Sequence, residues 1–297
     1  MQALQTRDDL PLHLRQWSIR TPAHGTVLLI HGLGEHIGRY EHLAERLNAA
    51  GWNVAGYDQR GHGASGGARG AVAQDDSLLD DLSVVIDALH GDRPAPLVLL
   101  GHSMGGAVAA RFVAEGLADQ PAPWWRAVTA LVLSSPALDL GMNGAQRALL
   151  MLLRPLLPAL AIGNGLKPEW VSRDPAVVKA YVDDPLVHDR VTPRLVQFLL
   201  QAGERVRRDA DRWQVPTLLL WAGADRCVNP EGSASFAEAA PAGLVRHKRY
   251  APMAHEIFNE PEREEVMADL ARWLQSLHAN LRLVSGSVSD PPRQGAS

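Results

Sequence analysis

A serine hydroxyl made to project, a histidine to take its proton and a carboxylate to hold that histidine form a minimal set that turns an alcohol into a nucleophile. The chain has a candidate for each. Gly101-His102-Ser103-Met104-Gly105-Gly106 follows the apolar run Leu97 to Leu100 and opens a helix-period segment, Gly105 to Leu117. Small residues two before and two after the serine, here Gly101 and Gly105, let strand and helix approach closely enough for a strained elbow that presents the hydroxyl. A bare Gly-x-Ser-x-Gly arises by chance in on the order of one chain in ten of this length. Its place between a strand and a helix makes it specific, and the competing reading is a Gly-rich turn without chemistry.

Where a sheet carries such an elbow, the acid and then the base follow the serine along the chain. The histidines after Ser103 are His188, His247, His255 and His278. His188 falls in a helical stretch, His247 within a strand between Arg246 and Lys248, and His278 at the close of the last helix. His255 sits in the loop Ala251 to His255 between the last strand and the last helix, which places it at the carboxyl edge of the sheet. For the acid, Asp225 ends the run Thr217 to Trp221, while Asp139, after the strand near Leu133, competes. The short turn before Asp225 and its distance from His255, enough for one helix and one strand, favour Asp225. Attack on an acyl carbon creates an oxyanion, for which two backbone N–H donors must already be in place. Met104 at the helix N-terminus supplies one, and Leu33 in the loop His31-Gly32-Leu33-Gly34-Glu35-His36 is the candidate for the other.

Two rival chemistries are weaker. Gly32, Gly34 and Gly38 after a strand, with Asp58 ending the next, imitate a dinucleotide-binding fingerprint. Three residues separate Gly34 from Gly38 where two are wanted, and Ser103, Asp225 and His255 would go unexplained. His31, Glu35, His36 and His62 lack the helical two-histidine spacing of a zinc site. No cofactor and no metal are expected.

These residues need a scaffold, and the sequence outlines one. From Thr26 onward, short apolar runs (Val27 to Ile30, Asn53 to Tyr57, Leu97 to Leu100, Ala130 to Leu133, Thr217 to Trp221 and a weaker Val245 to Tyr250) alternate with helix-period segments. That alternation predicts a mostly parallel sheet flanked by helices, with chemistry gathered at the strands' carboxyl ends. Leu12 to Ile19 alternates apolar and polar side chains after a turn at Asp8, Asp9 and Pro11, as an antiparallel hairpin at the sheet edge would. No convincing strand appears from Asp139 to about Arg208. The expected organisation is a core in two parts, 1–138 and 209–280, a helical cap insertion over 139–208, and a loose tail, 281–297. Within the insertion, Leu149, Leu150, Met151, Leu152 and Leu153 leave almost no polar face. Such a helix either packs on the core or forms a lid whose apolar surface touches lipid. Trp124, Trp125 and Trp170 could extend that surface or belong to the core. Arg205, Arg207 and Arg208 read as a solvated helix face.

Composition narrows the partners. Of 297 residues, 46% are apolar and 21% charged, ordinary for a globular chain. The 29 basic and 33 acidic residues give a net charge of -4 without long single-sign blocks, so a nucleic-acid partner is not expected. One cysteine, Cys227, allows no internal disulfide, and the first 25 residues lack the apolar core of a signal peptide; a cytoplasmic location is expected. The longest apolar stretch, Ala148 to Ile162, is broken by Arg154, Pro155 and Pro158, so no membrane span is expected.

Three strings closely resemble monoacylglycerol lipases: His31 to His36 with Gly38-Arg39-Tyr40 after them, Asp58-Gln59-Arg60-Gly61-His62-Gly63-Ala64-Ser65-Gly66, and Gly101 to Gly106. Gly223-Ala224-Asp225-Arg226 and Ala254-His255-Glu256 look like that family's acid and base segments. The likeness spans about Leu12 to Leu277 and is faint from Asp139 to Arg208, where the family's cap binds substrate. The resemblance implies an α/β-hydrolase fold with a helical cap and cleavage of single-chain glycerol esters. Its substrate-binding positions here would be Gly32, His102, Leu149, Leu152, Leu153 and Val228. It also implies a lipid ester as partner and transient contact with membrane surfaces or micelles through the cap. Cys227 resembles a cysteine near the site in some members, or is a small buried side chain. Lysophospholipase, general carboxylesterase and aminopeptidase chemistry keep the same three residues, with Glu35, Asp139, Glu169, Asp183 and Asp184 as candidate holders of a free amine. A non-catalytic small-molecule binder stands as the alternative outside enzymes.

Overall fold

The computed structural model describes residues 2–90 and 95–287. Among the described residues ten strands occur: β1 Gln2–Gln5, β2 Pro11–Trp17, β3 Thr26–Ile30, β4 Asn53–Tyr57, β5 Leu97–His102, β6 Ala130–Ser134, β7 Ile162–Gly163, β8 Arg190–Val191, β9 Thr217–Ala222 and β10 Val245–Tyr250. Eight helices join them: α1 Glu41–Ala49, α2 Ser77–Leu89, α3 Met104–Ala114, α4 Gly144–Leu156, α5 Pro175–Asp183, α6 Pro193–Arg208, α7 Glu231–Ala239 and α8 Arg263–Ser287. Eight strands form one sheet in the order β1-β2-β4-β3-β5-β6-β9-β10. β1, β2 and β4 pair antiparallel and every later pair is parallel. The hairpin read from Asp8, Asp9 and Pro11 is thus the edge of the sheet.

Both faces of the parallel strands are covered, and alternate side chains feed two cores. Leu28, Ile30, Leu99, Leu131 and Leu219 pack on one side with apolar residues of α2, α3, α6 and α7. Val27, Leu29, Val98, Leu100 and Leu220 pack on the other with α1 and α8. Burial on both faces is why these strands read as continuous apolar runs. β10 is the exception: as an edge strand it carries Arg246, His247, Lys248 and Arg249 between buried Val245 and Tyr250, charges that discourage pairing with another chain.

The chain leaves β3 toward β4 on one side and returns to β5 on the other. The strand order reverses there, so a crevice opens at the carboxyl ends of β3 and β5.

The segment 139–208 holds α4, α5 and α6, with β7 and β8 as a two-residue antiparallel ladder, Ile162 opposite Val191 and Gly163 opposite Arg190. That ladder is too short to leave a period in the sequence, and no strand was expected here. α6 belongs to the first core through Leu195, Phe198, Leu199, Ala202 and Val206, and Gly203 lies against the Leu138 carbonyl. Arg205 and Arg208 bond Asp209 at the end of α6, and Arg207 Nε donates to the Gly203 carbonyl, so this basic run ties down its own helix terminus. α4 buries Leu150 alone, against the reading of a helix packed on the core; Leu149, Met151, Leu152 and Leu156, with Leu157 and Leu160 just beyond it, are exposed, as a lipid-touching lid would have them. Arg147 to Glu204 and Arg154 to Asp75 hold its two ends. At the C-terminus, α8 runs to Ser287, seven positions into the stretch expected to be loose, because Leu281 still packs on the second core. The remainder of that stretch, 288–297, lies outside the described residues. Among the described residues no helix is long and apolar enough to cross a membrane.

Candidate active site

Ser103 stands between β5 and α3 with φ 53° and ψ -118°, a backbone conformation that costs on the order of 1–3 kcal/mol for a residue with a Cβ. The fold holds it there from both sides. Its N–H donates to the Ser134 carbonyl at 3.0 Å, and its own carbonyl accepts from Ala107 and Ala137. A Cβ on Gly105 would lie 2.1 Å from the Ile30 carbonyl oxygen, and one on Gly101 would lie 2.4 Å from the Gly105 oxygen. Only glycine lets β3, β5 and α3 meet this closely. The hydroxyl is thereby set at the crevice where the strand order reverses.

His255 lies in the loop after β10, 5% exposed, and its Nδ1–H donates to Asp225 Oδ2 at 2.7 Å. Asp225 lies after β9, and its other oxygen accepts from the Cys227 and Val228 N–H groups at 2.8 and 3.1 Å. Three donors aim this carboxylate, and the bond at Nδ1 leaves Nε2 as the basic nitrogen. Burial works against charge on the ring, but the Asp225 carboxylate prevails and holds the His255 pKa above the usual 6.5. Burial likewise opposes ionisation of Asp225, and the His255 ring with the two N–H donors keeps its pKa below the usual 3.8. Ser103 and His255 line one cavity. Asp139, the competing acid, instead caps the Gly141 N–H and accepts from Asn229, away from the imidazole. His188 donates to the Gly61 carbonyl, His247 lies beside Trp221 on the edge strand, and His278 stacks on His24.

Leu33 lines the cavity, and Met104 follows Ser103 at the start of α3. Among the described residues neither N–H meets a protein acceptor, whereas the Gly32 N–H is committed to Glu35 Oε1 at 2.6 Å. Gly32 and His102 also line the cavity. His102 Nδ1 is 3.1 Å from the Ser134 hydroxyl and its ring centre is 4.7 Å from that of His255. Burial, then the nearby His255, pushes the His102 pKa down to about 4, so it stays neutral beside His255.

The expected substrate-binding positions on the cap are not in the wall. Leu149 and Leu152 are exposed, at 55% and 60%, and Leu153 is half-buried on the same helix. Val228 is buried with its N–H on Asp225. α4 rests on α6 and turns its leucines outward. The roof comes from the next part of the insertion, Leu166, Lys167, Pro168, Val171 and Tyr181. Val171 is fastened there because its carbonyl accepts the Glu256 N–H at 2.8 Å. Nothing in the composition of 166–181 marks it as a roof; only its contacts with the loops after β3 and β10 do.

The remaining candidates have structural places. Cys227 lines the cavity, its sulfur within 4.8 Å of the donor atoms of Asp225 and His255. Burial and the Asp225 charge push its pKa up, which keeps it a thiol. His62 is fully buried, donates to the Arg60 carbonyl, and packs between the rings of His31 and His188. Trp124 is in the first core and Trp125 lies against Gly116. Trp170 sits near the roof, faced by Lys167 and Arg226.

Comparison with known proteins places relatives around this geometry. A family model described as serine aminopeptidase, S33, matches residues 21–262. The monoacylglycerol lipase of Mycolicibacterium smegmatis is 34% identical over 264 residues, covering 88% of this chain and 91% of that protein. The crystal structure of the Paleococcus ferrophilus monoacylglycerol lipase is similar at a TM-score of 0.79 and 37% identity, covering 90% of this chain and 99% of that one. An uncharacterised abhydrolase domain-containing protein of Dictyostelium discoideum is 32% identical over 96% of this chain, which spans 30% of that protein's length.

Proposed function

The chain belongs to the serine aminopeptidase S33 family of α/β-hydrolases, in its lipase and esterase group, and from that premise we propose that it hydrolyses monoacylglycerols to fatty acid and glycerol. In this proposal Ser103 is the nucleophile, His255 the base and Asp225 the acid. His255 Nε2 takes the hydroxyl proton as Ser103 attacks the ester carbonyl, and the Leu33 and Met104 N–H groups stabilise the oxyanion. The imidazolium then protonates the departing alcohol, leaving an acyl-enzyme that water, deprotonated by the same nitrogen, clears. The observation that carries the proposal is the 2.7 Å bond from His255 Nδ1 to Asp225, with that imidazole and Ser103 in one cavity wall.

An amine-terminated substrate is disfavoured by the state of the cavity's own carboxylates. Glu35 accepts from Gly32, Tyr40 and Arg39, and Glu256 accepts both Arg39 nitrogens. Every oxygen of the two already accepts a hydrogen bond, and the Arg39 guanidinium already offsets their charge, which weakens their hold on a free ammonium group. Asp139 and Asp183 are not in the wall, and Asp184 is taken by His36 at 2.8 Å. The acyl chain is the part of a monoacylglycerol that the present cavity cannot hold: at about 40 Å³ it has room for a few water molecules. In this proposal the roof moves to admit a long chain, and the exposed leucines of α4 suit that movement at a lipid surface.

A fluorophosphonate probe tests the nucleophile. It is expected to label the native chain and to leave Ser103→Ala unlabelled; undiminished labelling of the variant would remove Ser103 from the scheme. A panel of monoacylglycerol, lysophospholipid, short soluble ester and amino-acid anilide tests the substrate. Turnover of short esters with none of monoacylglycerol would overturn the substrate assignment.

A further inference from the structure

Three charges that the reaction scheme does not use lie buried at the edge of the cavity. Arg39, in the turn Ile37–Tyr40 before α1, donates through Nη1 to Glu35 at 2.7 Å and to Glu256 at 2.6 Å, and through Nη2 to Glu256 again at 2.7 Å. Their side chains are 10%, 4% and 6% exposed. Withdrawing three charges from water is costly, and well-packed apolar residues would often be as stable. The arrangement is better explained by what it fixes than by the stability it adds.

Each carboxylate is tied to one half of the site. Glu35 Oε1 accepts the Gly32 N–H at 2.6 Å and the Tyr40 hydroxyl at 2.7 Å. It thereby closes the turn after β3 from inside and leaves the Leu33 N–H without a protein acceptor. Glu256 is the residue after His255; it accepts from Asn259 at 2.8 Å, and its backbone N–H holds the roof at Val171. Arg39 and Glu256 are 217 positions apart, so the guanidinium joins two loops that no neighbouring strands connect: β3 and β10 stand at separate places in the sheet. The ring of Tyr181, from α5, lies 4.8 Å from the guanidinium carbon and closes its outer side.

We propose that Glu35, Arg39 and Glu256 are positioning residues, a carboxylate–guanidinium–carboxylate clamp that registers the Leu33 N–H against the His255 imidazole. The clamp rests on the assignment of Ser103 and His255 above. It also has an electrostatic side. The groups facing the imidazole are Asp225 and Cys227 from the loop after β9, Glu256 beside it, Glu35 from the loop after β3, and His102 from the elbow. Burial disfavours charge on His255, and after Asp225 the charges of Glu256 and Glu35 help to offset it. Two carboxylates on one guanidinium leave one negative charge in excess, which favours the imidazolium formed during attack.

The test measures kcat, KM and pH dependence on a short soluble ester for Glu35→Gln, Glu256→Gln and Arg39→Lys. Active sites are counted by fluorophosphonate titration, and thermal midpoints are recorded in parallel. Glu264→Gln is the control: it removes an exposed pair with Arg46 that joins α1 to α8 without touching the cavity. Each clamp variant is expected to lose about 10- to 100-fold in kcat per titrated site with KM held within about two-fold, as misplacement of reacting groups predicts. Glu256→Gln should also move the acid limb of kcat to lower pH, an effect that a merely structural role would not produce. The control should match the native chain. Native kcat per titrated site with an unmoved limb in both glutamine variants would overturn the clamp, and so would a loss explained entirely by fewer titratable sites. A native chain that takes no label would overturn the serine hydrolase assignment itself, a result separable from either.

Discussion

As the proposed base, His255 would act only while Nε2 is free of a proton, and its surroundings favour the protonated ring. Its pKa lies above 6.5, so kcat/KM is expected to fall on the acid side through an inflection above that value; an inflection below it, read from a pH profile on a soluble ester, would contradict the Asp225 contact. Asp225 holds the tautomer. Asp225→Asn keeps the shape but offers Nδ1 no charged acceptor, and is expected to lower kcat by about 10⁴-fold while the chain remains folded by circular dichroism. At this scale the sequence pointed to residues that the structure brings together: His255 bonds Asp225, and Ser103 and His255 share a cavity wall. Ser103, Asp225 and His255 could be chosen by chain order and strand-end position because the chemistry restricts their residue types. Glu35 and Arg39 could not be: they stood in the sequence as charges inside a Gly-rich string, and only their partner 217 positions away gives them a purpose.

Among elements, the strands that read most plainly are those buried on both faces, where a run such as Val27 to Ile30 has no polar position to confuse it. α4 shows the opposite case. Its leucines left open burial in the core or a lid facing lipid, because composition does not say which neighbour a helix will have, and only Leu150 is buried. The 166–181 roof is defined by contacts and leaves no periodic trace. Close packing at the elbow yields a sharp expectation: Gly105→Ala drives a methyl against the Ile30 carbonyl and should cost about 1–3 kcal/mol in chemical denaturation, with loss of fluorophosphonate labelling. The loop after β4 yields another. His62 is wholly buried, and burial, then the adjacent imidazoles, depress its pKa well below 6.5. An unfolded chain binds that proton more readily, so stability should fall as pH drops below about 6.5 and continue to fall toward the depressed folded value. Thermal melts from pH 7 to pH 5 should show a smaller decline for His62→Asn than for the native chain.

The molecule as a whole divides its surface between two tasks. Most of the exposed large apolar side chains among the described residues lie in the insertion, which presents Leu149, Met151, Leu152 and Leu156 to solvent. If that surface meets lipid, Leu152→Asp should weaken hydrolysis of dispersed long-chain monoacylglycerol by about tenfold, the worth of one large apolar side chain, and leave short soluble esters unaffected. Equal loss on both would assign α4 a purely structural role. The order in which the site's parts occur along the chain has a consequence for its birth on the ribosome. The elbow and the loop after β3 emerge early, but the imidazole arrives only with residue 255, in the loop after β10. On the proposed scheme, a growing polypeptide thus carries the Ser103 hydroxyl without its base until residue 255 has been made. Arrested nascent chains should be silent to an active-site probe until His255 has cleared the exit tunnel.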